Sequence, residues 1–173
     1  MRLLTLFLSL ALVGVAAAQT KPDFSGSWAR ADAQEQPSIA ATGDAPFVSG
    51  DMGSGWGSQL TIKQAANSLA VEYTHFSTYD MQPPLHLVYA LDGSDSVNSL
   101  MIGHAESTQH SRAAWRGQTL LISTQVAVPG SDMRVEVQQA LTLESPQTLV
   151  IETTRSGTPG TAAPVTRTRY VRR

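Results

Sequence analysis

Beyond residue 18, no stretch of this chain repeats its apolar residues with a sustained period of 3.6. Short runs alternate apolar and polar residues instead, and most of them end at a turn former. A chain patterned this way buries one face of each run, so it builds strands. Alternation begins at 27–30, stops over a long stretch rich in Ala, Gly, Pro and Ser (31–57), and resumes at 59–65. Further runs cover 69–76, 85–91, 98–103, 109–116, 119–128, 133–143, 148–155 and 165–171. In the run 69–76, Leu69, Val71, Tyr73 and His75 share one face, and Ala70, Glu72 and Thr74 share the other. Asn67, Asp92-Gly93, Gly117 and Pro129-Gly130 separate runs, and such short turns pair sequence neighbours antiparallel. The paired prolines Pro83 and Pro84 bar a central strand where they stand. The expected fold is all-β, an antiparallel up-and-down barrel of about eight to ten strands. A two-sheet sandwich is the competing architecture.

Residues 1–18 read as a signal peptide. Arg2 supplies the positive end, 3–15 is apolar but too short for a membrane span, and Ala16-Ala17-Ala18 is a small-residue cleavage signal. Cleavage after Ala18 leaves a mature chain of residues 19–173, a length that suits one domain. There is no cysteine, hence no disulfide, no thiolate chemistry and no lipid anchor on a cysteine after the leader. A secreted or periplasmic bacterial protein is the expectation. With 12 basic and 14 acidic side chains, the chain has no positive excess with which to hold nucleic acid. Its one dense basic run, 167–173, reads as the solvated face of a last strand.

The stretch Asp23-Phe24-Ser25-Gly26-Ser27-Trp28 stands between the leader and the first alternation. Phe24 suits a core, Gly26 permits a tight backbone path, and Trp28 carries a large buried surface with one N–H to satisfy. An aromatic followed by Gly-X-Trp at the start of a first strand resembles the opening motif of the lipocalins and their bacterial lipocalin-like relatives. The resemblance implies that Trp28 closes one end of the barrel and that an arginine of the last strand packs across it. Arg169 is the expected partner, ahead of Arg167 and Arg172. It also implies that the link 31–57 folds over the barrel mouth as a lid.

Local motifs for catalysis are absent. His75, His86, His104 and His110 are not spaced to share a metal on one strand or helix turn, so no metal or cofactor is expected. No Gly-X-Ser-X-Gly elbow occurs, and no glycine-rich phosphate loop leads into a helix. An enzyme on this barrel would have to use a histidine with Asp80 or Glu72. Glu72 and Glu152 read as solvent-facing.

The richest cluster joins Tyr73, His75, Phe76, Tyr79, Asp80, Met81 and Gln82 to the two prolines. Apolar walls with a few placed polar groups are what a small-molecule pocket needs. The expectation is therefore non-covalent binding of a small apolar molecule in the barrel. Trp56, Tyr73, Tyr79, Tyr89 and Trp115 would give apolar surface, and His75 and Gln82 polar contacts at the mouth. A structural or protein-interaction domain without ligand is the alternative.

Overall fold

A computed structural model describes residues 20–31, 54–74, 83–102, 105–127, 134–156 and 165–173. Residues 1–19, most of the stretch 31–57, and His75, Phe76, Tyr79, Asp80, Met81, Gln82 and His104 lie outside the described residues. Ten strands run in chain order: β1 (Gly26–Arg30), β2 (Gln59–Gln64), β3 (Ser68–Tyr73), β4 (Leu85–Ala90), β5 (Asp95–Ile102), β6 (Ala105–Arg116), β7 (Thr119–Ala127), β8 (Arg134–Ser145), β9 (Thr148–Arg155) and β10 (Val165–Arg172). They form one antiparallel sheet in the order β4-β3-β2-β1-β10-β9-β8-β7-β6-β5. Its outer strands β4 and β5 meet through the hairpin at 91–94, which leaves a nearly closed barrel. This architecture is compatible with a lipocalin-like fold.

Up-and-down connectivity sorts the links by end. The tight turns 65–67, 91–94, 117–118 and 146–147 lie at one end, the turn end. The strand ends at Arg30, Gln59, Tyr73, Leu85, Ile102, Ala105, Ala127, Arg134, Arg155 and Val165 lie at the other, the loop end.

The turn end is sealed by the stretch before β1. Phe24 is fully buried and stacks on Trp115, with ring centres 5.7 Å apart and planes 4° from parallel. Gln64 of β2 fixes its backbone, accepting from the Phe24 N–H (3.0 Å) and donating to Pro22 O (3.0 Å). The Trp28 indole N–H donates to Phe24 O (2.9 Å), so the buried polar atom of the plug is satisfied.

The cation over Trp28 is Arg172, not Arg169. Its guanidinium carbon lies 4.4 Å from the ring centre, and it donates to Ser25 O and Pro146 O. Alternation along β10 explains the correction. Trp28 pairs with Arg172 in register, whereas Arg167 and Arg169 point outward to Glu144. Gly26 makes the contact possible. Its φ is +144°, and a Cβ there would overlap the Arg172 guanidinium.

Candidate functional site

The barrel interior has two unlike walls. Strands β2 to β4 turn Leu60, Ile62, Leu69, Val71, Leu85 and Leu87 inward, together with Tyr73 and Tyr89. Burial pushes the Tyr73 phenol above its ordinary pKa. It pushes the Tyr89 phenol up strongly, and a side-chain hydrogen bond with Trp56 only partly opposes this. Strands β6 to β10 are apolar toward the turn end, with Leu120, Ile122, Leu141, Leu149 and Ile151 buried. One step toward the loop end they carry a buried polar belt: Ser111, Thr124, Gln139, Thr153 and Thr168.

The residues just before β2 cross between these walls. Tyr170 of β10 shares a 2.6 Å hydrogen bond with Ser54 Oγ, and its hydroxyl donates to Trp56 O (3.0 Å) and Gly57 O (2.9 Å). Gln139 Nε2 donates to Ser54 O. The Trp56 ring then lies against Tyr89 on the apolar wall, ring centres 6.1 Å apart. Gly57 passes so close to Thr74 that a Cβ would sit 2.6 Å from its carbonyl oxygen. Trp56 therefore fills the interior as part of the packed core.

Of the residues singled out from sequence, Trp56, Tyr73 and Tyr89 come together here. Trp115 does not join them. It ends β6 at the turn end, against Phe24 and with Lys21 Nζ 5.5 Å from its ring centre. His75, Tyr79 and Gln82 lie outside the described residues. The sequence reading missed Ser54, Gln139, Tyr170 and Thr153. Only the alternation of β8, β9 and β10 could have flagged Gln139, Thr153 and Tyr170, as polar residues at positions where apolar ones are expected; nothing local marks Ser54.

In the belt, Ser111 Oγ and Thr124 Oγ1 satisfy each other at 2.9 Å. Thr153 is fully buried, yet its Oγ1 has no hydrogen-bond partner, an exception shared among the described residues by Trp115 Nε1. Leaving a buried hydroxyl unpaired costs about 1–3 kcal/mol.

The described histidines face outward. His86 pairs with Glu72 at 3.4 Å, and His110 Nδ1 with Asp95 at 2.9 Å. Glu152 also faces out, toward Arg167. Among the described residues no group of three or more His, Cys, Asp or Glu is gathered in metal-binding geometry. Hollows of about 460 and 510 Å3 lie on the outer face of β5 to β10. In the second, the Ser123 hydroxyl near His110 is donated to the Glu136 carboxylate (2.6 Å), whose pKa this bond lowers.

No family model matches this chain, and no curated protein matches it.

Proposed function

We propose that this is a secreted or periplasmic lipocalin-like protein that holds a small, mostly apolar molecule non-covalently, on the loop-end side of Trp56. The observation that carries the reading is the unpartnered Thr153 hydroxyl within a polar belt, facing an interior whose other wall is apolar. A barrel that only packed a core would gain more from Val than from Thr at that position. A ligand with one polar end and an apolar body meets both walls. The Trp28–Arg172 pair at the turn end is the feature expected of lipocalin-like closure and supports the same reading. The link 31–57, whose last residues dip into the barrel, is the lid on this reading, and His75 and Gln82 are the polar groups at the mouth.

Native mass spectrometry of the mature chain, purified from the periplasm without denaturation, is the first test. A reproducible extra mass lost on gentle activation is expected. Thr153→Val should then weaken that ligand by roughly three- to tenfold, the worth of one hydrogen bond. A clean mass in repeated preparations, with Thr153→Val changing only stability, would move the reading to a protein-interaction domain. One observation favours that second reading already: Val88, Val97 and Met101, on adjacent strands, are each more than half exposed.

A further inference from the structure

Around this barrel, neighbouring strands exchange backbone hydrogen bonds except at one place, between β4 and β5. There the strands are joined by side chains. The Val88 N–H donates to Asn98 Oδ1 (2.8 Å), and Asn98 Nδ2 donates to Val88 O (3.1 Å). Two residues on, the Ala90 N–H donates to Ser96 Oγ (2.8 Å). Asn98 and Ser96 are both buried. The Asn98 carboxamide makes on Val88 the pair of bonds that the facing residue of an antiparallel strand would make. The Ser96 hydroxyl stands where a carbonyl of that strand would accept. Outside this seam, Val88 is 52% and Val97 59% exposed.

We propose that the seam is a latch over a strand-pairing surface, and that the partner of the released surface is β4 of a second copy of this chain. Three features select that occupant. The seam already holds a peptide-like amide at strand spacing, so its chemistry is that of main chain. β4 is the last strand on its side of the sheet order, so a pairing strand continues the sheet. Antiparallel pairing of β4 with itself about Val88 sets donors against acceptors on both chains and covers two exposed valines, as a two-fold interface requires. In the intact chain the latch wins because Asn98 and Ser96 are held beside β4 by a short hairpin, at high effective concentration. Asn98 and Ser96 are thus specificity residues that keep a sheet edge from meeting another copy.

The chain has no cysteine, so one introduced thiol reports alone. Oxidative cross-linking of Val88→Cys should be at least about tenfold faster when Asn98→Leu is added, since two buried hydrogen bonds are then lost from the latch. Val165→Cys, exposed on β10 away from the seam, should cross-link at the same rate with or without Asn98→Leu. Equal acceleration at both thiols, or at neither, overturns the proposal. Amide exchange of the unmodified protein gives a second reading that does not depend on a variant folding. Val88 and Ala90 should exchange faster than Leu87 and Tyr89, whose main-chain groups alternate toward β3. Equal protection of the four amides overturns the latch.

Discussion

The two walls of the barrel are held by different physics. On β2 to β4, Leu69, Val71 and Leu87 are buried by contact alone, and any apolar residue of similar size could serve there. On β8 to β10, Gln139 and Tyr170 hold the backbone of Ser54–Gly57 by directed hydrogen bonds, and their positions are set by geometry rather than volume. Trp56 links the two, tied by its backbone to one wall and packed by its ring on the other. The apolar wall is held by burial, and the polar wall by directed hydrogen bonds.

Replacing Trp56 with Ala strips its ring from the apolar wall and leaves its backbone bond to Tyr170 in place. A loss of about 3–5 kcal/mol in urea unfolding is expected. A loss under 1 kcal/mol would mean that the indole is not part of the core. Tyr170→Phe removes only the polar anchorage and should cost about 1–3 kcal/mol, because the Trp56 and Gly57 carbonyls lose a buried donor. If it costs nothing, the contrast between the walls fails. The apolar wall can be probed without mutation. The folded pKa values of Tyr73 and Tyr89 are raised above the ordinary 10.0, so the stability they contribute is complete below about pH 10 and is lost as pH rises beyond it. Absorbance at tyrosinate wavelengths should show Tyr73 and Tyr89 ionising only as the barrel unfolds. Reversible ionisation of both near pH 10 would mean that water reaches the wall. Thr153→Val should have the smallest effect, neutral or slightly stabilising in the ligand-free protein, and a thermal melt reads its sign.

The same contrast explains what could be read from sequence. In β3, Leu69, Val71 and Tyr73 alternate with Ala70 and Glu72, and the inward face is plain from polarity. β9 is plain in its bounds, 148–155, but not in its inward face, because Leu149, Val150 and Ile151 are apolar in a row and Thr153 is polar where it faces in. β5 is the reverse case. Ser96 and Asn98 face in while Val97 and Met101 face out, so polarity points to the wrong face, and the strand is longer than the expected 98–103. The first third of β6, Ala105–Thr108, has no large apolar residue and carries no signal either; only the expected 109–116 is visible. Arg172 was ranked below Arg169 because its role depends on register with Trp28 across most of the chain's length. Trp56, Tyr73 and Tyr89 were found as aromatics, but their packing against one another rests on Tyr170, which no local pattern connects to Ser54.

β1 and β10 are neighbours, and Arg172 lies over Trp28. The barrel therefore has no complete intermediate along the chain. A polypeptide made from its N-terminus at roughly 5–20 residues per second must wait on the order of ten seconds between Trp28 and the arginine that covers it. Throughout that interval Phe24 and Trp28 lie beside a strand whose second neighbour does not yet exist. Closure thus waits for β10 and is timed by the last strand of the barrel rather than its first.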